Sequence, residues 1–512
     1  MYRSCIVLVT PLVLLLFSKT ASGQDTPPPQ EVLQIEQAMQ RVIREVEPSV
    51  VSILVSRSEA YRKLFHDQPP QELPGKLGPF NPHTIPKATE PLPGTDRAPR
   101  VDDVAGKYDL ASPDYFPEAT ASGVVIDANE LLVLTNYHAV RDATKIYVRL
   151  APDKGSYADI HAADSRSDLA VLRLLDEKVR PLKEVKLGDG GAVAKGQLVV
   201  TVVNVFAPGF RDGSPGASWG IVSNIRRPAI AGSGEEDRRA FYLFDTLIQT
   251  DARLNQGTSG GALVNLRGEM IGLTTSRAAV RGSETAGGLA IPIDAGARRI
   301  IERLRQGRDV EYGFLGVICQ RVGGGYGLVI DRVVGGSPAE KAGLRIGDTI
   351  MKLNGMPVRD VNDLILKIAM LAAGSETQVE VSERSRPITV TLAKQYVSGK
   401  SIVSKKAPAI RGIRVDFTSV LWMQSDTPLA FPLQRREIPP GVYVSEVQPG
   451  SNAAATKLQV NDVITHVNDQ KIDSPAEFYR QAAKVPVSVP LELMLYSFDW
   501  NQSQRSTKVV VP

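Results

Sequence analysis

The sequence predicts a mostly β protein whose C-terminal part consists of two smaller modules of strand and helix. Short β-branched and apolar runs recur at close spacing between residues 50 and 292, with turn residues between them. Strands of this kind are typical of β-barrels and β-sandwiches. Beyond residue 310 the chain contains an internal repeat at an offset of 114 residues. A chain of 512 residues has room for three or four such domains.

Composition and charge exclude several classes of function. Of all residues, 43% are apolar and 23% are charged, which is an ordinary globular balance. The formal net charge is +4 and no long Lys/Arg run is present, so neither nucleic acid nor an anionic membrane is expected as the main partner. No Cys/His cluster has the spacing of metal ligands, so we expect no metal site.

The N-terminus has the three regions of a secretory signal peptide. Arg3 precedes an apolar run over residues 6–17, and the small residues Ala-Ser-Gly follow at 21–23. We expect cleavage of residues 1–23 and export of the mature chain, to a periplasm or to the medium. An uncleaved anchor is the alternative, although about twelve apolar residues are few for a bilayer. No later run reaches the length of a membrane span.

The two cysteines predict no disulfide. Cys5 would leave with the signal peptide, so Cys319 is the sole cysteine expected in the mature chain. Cys319 ends an apolar segment that begins at Leu315, which favours a buried small hydrophobe over a reactive thiol.

The first element predicted after the signal peptide is an amphipathic helix within residues 24–47. Its apolar residues recur at alternating spacings of three and four: Val32, Ile35, Met39, Val42 and Val46. Pro48 ends this helix. The β-branched run from Val50 to Val55 is the first predicted strand.

Residues 48–307 follow the pattern of one all-β domain with a long insertion. Residues 57–118 are rich in proline with little periodicity, which indicates a disordered or regulatory loop. Further strands are predicted at residues 123–126, 131–134, 145–150, 170–175, 197–205, 219–223, 269–275 and 288–292. Ala295 to Arg305 has the apolar spacing of a helix, with Gly307 at its end.

The internal repeat divides the remainder into two similar domains. Residues 327, 337, 343–344, 348–350 and 354 correspond to residues 441, 451, 457–458, 462–464 and 468. Each copy predicts a strand, a short helix, and a turn that leads into another strand. The two domains are expected at residues 312–395 and 410–512.

Ser259 is the candidate nucleophile of a catalytic site. It lies in the segment 249–263, with Gly257 two residues before it and Gly261 two residues after it. Glycine permits a sharp turn that directs backbone N–H groups at an oxyanion, and the candidate donors are Gly257 and Ser259. Because the same pattern occurs in ordinary turns, its meaning depends on the partners of the serine.

His138 and Asp168 are the candidate partners. A serine hydroxyl requires an imidazole that takes its proton and a carboxylate that orients the imidazole. His138 follows the apolar run 131–134, and Asp168 precedes the apolar run that begins at Leu169. An Asp before a strand is also a common turn residue. The chain order His, Asp, Ser is that of the chymotrypsin-like double β-barrel, which is therefore the predicted fold of this domain.

Residues 135–140, 167–172 and 249–263 resemble the three catalytic blocks of the HtrA/Deg family of serine proteases. The resemblance implies that His138 is the general base, Asp168 its orienting acid and Ser259 the nucleophile. It implies an oxyanion hole formed by the backbone N–H groups of Gly257 and Ser259, and no cofactor. It also implies a homo-oligomer, a trimer or a multiple of one, to which the N-terminal region contributes.

The repeated modules resemble PDZ domains, which bind an extended peptide at a sheet edge and hold its terminal carboxylate on backbone N–H groups. The carboxylate-binding loop is matched by Gly313, Phe314, Leu315 and Gly316. C-terminal peptides are therefore the expected ligands of the first module. In the second module, Arg-Gly-Ile-Arg-Val at residues 411–415 stands where this loop is expected, and a purely structural role is the alternative there.

Leu254 is the candidate residue of the specificity pocket. A preference for Lys or Arg requires an acid deep in the pocket, and residues 252–255 supply none. The resemblance implies that Leu254 helps to wall a pocket for small or medium aliphatic residues, and the alternative is that Leu254 is a core residue. Thr258 stands where digestive relatives have an Asp, so activation through a new N-terminal ammonium group is not expected.

These observations predict an exported, ATP-independent serine endopeptidase that degrades unfolded or damaged proteins. Protein quality control under stress is the expected setting, with capture of C-terminal peptides by the first PDZ domain. The alternative is a peptide-binding or chaperone-like scaffold whose protease fold is proteolytically silent.

Overall fold

The computed structural model of the chain describes residues 29–57, 110–111, 117–151, 154–204, 214–227, 246–254, 257–275, 288–321, 327–397, 401–423, 440–498 and 504–512. The predicted signal peptide lies outside this part of the chain, as does most of the predicted loop 57–118.

Helix α1, Gln30–Val46, forms where the apolar spacing predicts it. Its C-terminal half packs on the barrels through Val42 and Val46, which are both buried. Near its start, Val32 and Ile35 are 50% and 42% exposed. The predicted apolar stripe is therefore covered only toward its C-terminal end by the described residues.

Six antiparallel strands close into a first barrel. They are β1 (Val50–Ser56), β2 (Ala119–Asp127), β3 (Leu132–Asn136), β4 (Lys145–Ala151), β5 (Lys154–Asp164) and β6 (Leu169–Leu174). Their order is β5-β4-β1-β2-β3-β6, and pairing between β5 and β6 closes the barrel. Its interior is lined by β-branched and leucine side chains such as Ile53, Val133 and Leu172. Helix α2, Tyr137–Val140, follows β3 directly.

A second barrel repeats this arrangement. Its strands are β7 (Lys186–Leu187), β8 (Leu198–Val203), β9 (Gly216–Arg227), β10 (Leu247–Thr250), β11 (Ala262–Asn265), β12 (Glu269–Thr275) and β13 (Gly288–Pro292). The order β11-β8-β9-β10-β13-β12 is closed by pairing between β11 and β12, and β7 adds in parallel to β12. The fold of this domain is the predicted chymotrypsin-like double β-barrel.

Helix α3, Ala295–Arg305, packs on both barrels and ends the domain. The side chain of Asp294 caps its start by accepting a hydrogen bond from Ala297 N at 2.8 Å. Ile300, Ile301 and Leu304 are buried in the apolar cluster that also contains Val42 of α1. Gly307, with a φ of +72°, follows its end as predicted. The helix therefore joins the interior of the barrels to the chain that leads into the C-terminal modules.

The first C-terminal module is a small α/β domain with one six-stranded sheet and a separate pair of short strands. Its elements are β14 (Gly313–Phe314), β15 (Val317–Arg321), β16 (Leu328–Val333), α4 (Pro338–Lys341), β17 (Thr349–Leu353), β18 (Met356–Pro357), α5 (Val361–Ala369), β19 (Glu376–Val381), β20 (Ile388–Thr391) and β21 (Ala393–Lys394). The sheet order β15-β16-β17-β19-β20 leaves β15 at an edge. This module has its own apolar core, which includes Leu315, Ile350 and Leu364.

The chain between the two modules returns to the protease domain. Strand β22, Ile402–Val403, pairs with Ala163 and Ala162 and so extends the first barrel's sheet beyond β5. His161 is buried at this junction, where Nδ1 lies 2.9 Å from Ser404 Oγ and Nε2 lies 3.1 Å from Arg305 O. Because a carbonyl oxygen only accepts, Nε2 carries the proton and Nδ1 accepts from the serine.

The second module repeats the six-stranded sheet of the first. Its elements are β23 (Ile413–Phe417), α6 (Thr418–Met423), β24 (Val442–Val447), β25 (Val463–Val467), β26 (Gln470–Lys471), α7 (Pro475–Ala482), β27 (Leu491–Phe498) and β28 (Gln504–Val511). The sheet order β23-β24-β25-β27-β28 places β23 at the edge that β15 occupies in the first module.

The structure corrects the position of the loop in the second module. Residues 413–415, which the sequence analysis assigned to the loop, belong to strand β23. Gly412 is the counterpart of Gly316, because both have a left-handed backbone, with φ of +88° and +87°, and both lie against the equivalent serine of the repeat. The loop therefore ends at Gly412, and the apolar Ile413 begins the edge strand in the way Val317 does.

Candidate active site

The first barrel places His138 next to Asp168. Helix α2 presents His138 directly after β3, and Asp168 ends the turn between β5 and β6 with a φ of +58°, a conformation that aspartate tolerates better than most residues. Asp168 Oδ1 accepts from His138 N at 2.9 Å, and Asp168 Oδ2 accepts from His138 Nδ1 at 2.7 Å. The backbone of Asp168 is also fixed, because its carbonyl oxygen accepts from Tyr137 N at 3.0 Å.

The second barrel brings Ser259 to the same place. Ser259 lies in the turn between β10 and β11, and its Oγ is 3.3 Å from His138 Nε2. Since Nδ1 donates its proton to the carboxylate of Asp168, Nε2 is the nitrogen that can accept a proton from Ser259. The side chain of Asp168 is 2% exposed and that of His138 is 16% exposed. The three residues singled out in the sequence therefore form one hydrogen-bonded chain across both barrels.

The turn around Ser259 requires glycine. Gly257 and Gly260 have φ angles of +89° and +88°, which side chains strongly disfavour. A Cβ atom on Gly260 would lie 2.1 Å from Ser122 O, and one on Gly261 would lie 2.6 Å from the side chain of Val203. Backbone angle and close packing together account for the glycines that flank the serine.

Two residues that the sequence analysis did not identify hold this turn. Ser122 N donates to Ser259 O at 2.8 Å, and Ser122 Oγ donates to Gly257 O at 3.2 Å. On the other side, Thr274 Oγ1 donates to Thr258 O at 2.5 Å and accepts from Gly261 N at 2.9 Å. No local pattern could have identified Ser122, because it is 135 residues away from Gly257 in the chain.

Leu254 packs against the start of β13. Its side chain is partly exposed, and a Cβ atom on Gly288 would lie 2.1 Å from Leu254 Cδ1. The space that a side chain at Gly288 would fill is therefore occupied by Leu254, five residues before the candidate nucleophile.

The first module holds Gly313, Phe314, Leu315 and Gly316 as a tight loop before its edge strand. Gly313 N donates to Leu371 O at 2.9 Å, and Gly316 O accepts from Val334 N at 2.9 Å. Leu315 is buried in the module's core, whereas Phe314 is partly exposed. The loop leads directly into β15, whose far side is an unpaired sheet edge among the described strands.

The corresponding edge of the second module is partly closed. Val415 N, on the edge strand β23, donates to the hydroxyl of Tyr479 on helix α7 at 3.3 Å. An added peptide strand would need such edge N–H groups as donors. The Arg411 side chain, just before Gly412, donates to the carbonyl oxygens of Val511, Pro486 and Val489. It therefore ties the loop to the end of β28 and to the segment before β27.

Neither a candidate metal site nor a membrane-spanning helix occurs in the described residues. Within them, no group of three or more His, Cys, Asp or Glu side chains could hold a metal ion. In the same part of the chain, no helix is long and apolar enough to cross a membrane.

Fold and site together define a trypsin-like serine endopeptidase that carries two PDZ domains. The family model of the trypsin-like peptidase domain matches residues 121–273, and that of the PDZ domain matches residues 304–382 and 421–494. The periplasmic pH-dependent serine endoprotease DegQ of Escherichia coli is 30% identical over 388 residues, which cover 74% of this chain and 78% of DegQ. The chain belongs to the HtrA/Deg family of serine endoproteases, as its sequence blocks predicted.

The chain is also similar to a second curated protein and to a solved structure. A probable periplasmic serine endoprotease of the DegP-like type from Pseudomonas fluorescens is 32% identical over 383 residues, with 72% of this chain and 75% of that protein covered. The crystal structure of the serine endoprotease from Yersinia pestis aligns with 70% of this chain and 97% of its own, at 24% identity and a TM-score of 0.43.

Proposed function

We propose that this chain is an exported, ATP-independent serine endopeptidase that degrades unfolded or damaged proteins and uses Ser259, His138 and Asp168 as its catalytic triad. The observation that carries the proposal is the continuous contact from Asp168 Oδ2 through both ring nitrogens of His138 to Ser259 Oγ, at 2.7 and 3.3 Å. The longer contact is common in enzymes without substrate, where catalytic hydrogen bonds are often loose.

In the proposed reaction, Ser259 Oγ attacks the carbonyl carbon of the scissile peptide bond while His138 Nε2 takes its proton. Asp168 stabilises the imidazolium that forms, and the N–H groups of Gly257 and Ser259 bind the oxyanion. His138 then gives the proton to the departing amine, which leaves an acyl-enzyme. Water attacks this ester with His138 again as base, and Ser259 is released.

The partly exposed Leu254 supports a pocket that takes small or medium aliphatic residues before the cut bond. A leucine side chain against Gly288 narrows the space available and offers no charge for Lys or Arg. This contact fits the role inferred from the resemblance.

Peptide capture is assigned to the first PDZ domain. Its loop Gly313–Gly316 precedes the edge strand β15, so an extended C-terminal segment can add to the sheet with its carboxylate at the loop. The second PDZ domain is the weaker candidate for peptide binding, because the N–H group of Val415 on its edge strand already donates a hydrogen bond to Tyr479. The relatives are periplasmic serine endoproteases, which supports a periplasmic location for this chain. The family resemblance supports a homotrimer or a multiple of one.

The test is degradation of a chemically unfolded protein by the full chain without residues 1–23. We expect cleavage by the wild type and faster cleavage when a peptide with an apolar C-terminus is added. Ser259→Ala should lose at least about a thousandfold in rate with an unchanged melting temperature. Ser223→Ala, at a partly exposed serine on strand β9 of the second barrel, is the control for loss of a serine hydroxyl and should cleave like the wild type.

Cleavage by pure Ser259→Ala would show that the nucleophile is misassigned. A wild-type chain that binds unfolded proteins and peptides but never cleaves them would instead establish the silent scaffold.

A further inference from the structure

Tyr312 precedes the loop of the first PDZ domain, yet its side chain lies in the protease domain. It is fully buried and belongs to the apolar cluster that runs through both barrels and helix α3. Leu315, three residues later, belongs to the core of the PDZ domain. The loop Gly313–Gly316 is therefore held between one residue anchored in each domain.

The hydroxyl of Tyr312 donates a hydrogen bond to Asp164 Oδ2 at 2.5 Å. The same oxygen accepts from Ser167 N at 2.7 Å and from Ser167 Oγ at 2.5 Å. Asp164 is itself buried, and burial raises the pKa of its carboxyl group. Because a buried polar atom that loses a partner is costly, each of these donors helps to fix the position of the others.

Asp164 and Ser167 belong to the turn that ends at Asp168. Ser167 is bonded covalently to Asp168, whose left-handed backbone makes the orientation of its side chain sensitive to the turn. On its other side, Asp168 receives the N–H and Nδ1 groups of His138. Asp164 therefore holds the turn from within the barrel, while helix α2 holds the carboxylate.

Two arginines fix the ring of Tyr312 in this place. The guanidinium carbons of Arg166 and Arg299 lie 5.1 and 5.9 Å from the ring centroid, within the range of cation–π attraction. Arg299, on helix α3, also donates to Glu311 O at 2.9 Å and to Ala369 O at 3.3 Å. Ala369 ends helix α5 of the PDZ domain. Arg299 therefore links helix α3 both to the residue before Tyr312 and to the PDZ domain.

We infer that Tyr312 is a positioning residue for the catalytic triad: its hydroxyl, through Asp164 and Ser167, holds Asp168 in the orientation that its contact with His138 requires. The orientation of Asp168 then depends on Tyr312, a residue of the segment that follows the two barrels. The inference rests on the proposed catalytic roles of Ser259, His138 and Asp168.

The test uses Tyr312→Phe in the full chain without residues 1–23, with a short chromogenic peptide ester as substrate. The ring and its packing remain, and only the hydroxyl is removed. We expect kcat to fall on the order of fivefold, as for loss of one buried hydrogen bond, with KM nearly unchanged. A less well-oriented Asp168 stabilises the His138 imidazolium less, so the acidic limb of the pH profile of kcat should move to lower pH.

Two further variants separate positioning from stability. Tyr443→Phe removes the hydroxyl of another buried tyrosine, in the second PDZ domain, and should leave kcat and the pH profile unchanged. Asp164→Asn should lower kcat in the same way as Tyr312→Phe. The fall in kcat of the double variant should be smaller than the product of the two single falls, because both substitutions remove the same hydrogen bond between Tyr312 and Asp164.

The results distinguish this inference from the proposed function. An active, Ser259-dependent wild type together with a Tyr312→Phe variant of unchanged kcat and pH profile would overturn the positioning role alone, even if its melting temperature fell. A wild type without Ser259-dependent hydrolysis would overturn the proposed function, and the positioning role with it.

Discussion

At Gly260 the backbone turns directly behind the candidate nucleophile, in a space that leaves no room for a side chain. Its N–H donates to Thr274 O at 2.8 Å, and a Cβ atom there would also lie 2.4 Å from Thr135 Oγ1. The neighbouring Ser122 O would be closer still, at 2.1 Å. Ser122 lies on β2 and Thr135 on β3, and both strands are fixed within the first barrel. A collision with them would therefore displace the turn that carries Ser259.

Gly260→Ala should therefore lower both stability and activity. We expect a loss of roughly 2–4 kcal/mol in the free energy of unfolding from backbone strain and overpacking, and activity below about 1% of the wild type. Gly347→Ala is the matched control, because Gly347 has a φ of +91° and no atom within 4 Å of a Cβ. Gly347→Ala should show the effect of backbone strain alone. Its free energy of unfolding should fall by about 1 kcal/mol, with normal activity. Equal effects of the two variants on activity would contradict this account of the turn.

At the scale of single residues, the sequence singles out the candidate triad and misses the residues that hold it in place. His138, Asp168 and Ser259 were found because each lies in a local pattern, after or before an apolar run or between glycines. Ser122 contacts the serine turn from the first barrel, and Thr274 contacts it from β12 of the second. Tyr312 reaches Asp164 from 148 residues away. Such contacts depend on how the strands close, and no spacing along the chain encodes them.

Among the elements, those with a buried apolar pattern and a clear end were predicted well. Helix α3 has the predicted bounds, because its apolar spacing and the following Gly307 mark it in the sequence. Strand β5 was missed, since its sequence Lys-Gly-Ser-Tyr-Ala-Asp-Ile-His-Ala-Ala-Asp carries polar residues throughout. The two-residue strand β22 was also missed, because its pairing with β5 depends on where the chain returns.

The edge strand β15 carries a probe of its own environment in Cys319. Burial raises the pKa of this thiol to about 11, so its reactive thiolate is scarce at pH 8, roughly 0.1% of the population. In the chain without residues 1–23, iodoacetamide should alkylate Cys319 on the order of a hundredfold more slowly in the folded than in the unfolded state. The thiol has its ordinary pKa in the unfolded state, so a much larger fraction of it is thiolate there. The rate should rise about tenfold for each pH unit between 8 and 10.

A peptide with an apolar C-terminus should slow this alkylation further if it adds to β15. The matched experiment uses the same peptide with an amidated C-terminus, which lacks the carboxylate that the loop Gly313–Gly316 is proposed to bind. Cys319 is partly buried on β15. Alkylation as fast in the folded chain as in denaturant would show that its thiol is not shielded there.

Taken whole, the chain ties its C-terminal modules back to the protease domain at several places. Strand β22 extends the first barrel, and Ser404 contacts His161 inside it. Lys394, at the end of the first PDZ domain, forms ion pairs with Asp416 of the second, at 2.7 Å, and with Asp309 of the preceding linker, at 3.5 Å. Burial opposes the charge of Lys394, but the two carboxylates outweigh it and raise its pKa, so all three segments remain joined across the neutral range.

The central claim is that residues from two barrels form one catalytic site, and covalent labelling of the intact chain tests it most directly. A fluorophosphonate probe reacts only with a serine activated by its neighbours. Mass spectrometry should find one adduct, on the peptide that contains Ser259, in the wild type. It should find none in Ser259→Ala, and a strongly reduced amount in His138→Ala, which keeps the serine but removes its base. No adduct in the wild type, or undiminished labelling of Ser259 in His138→Ala, would contradict the account.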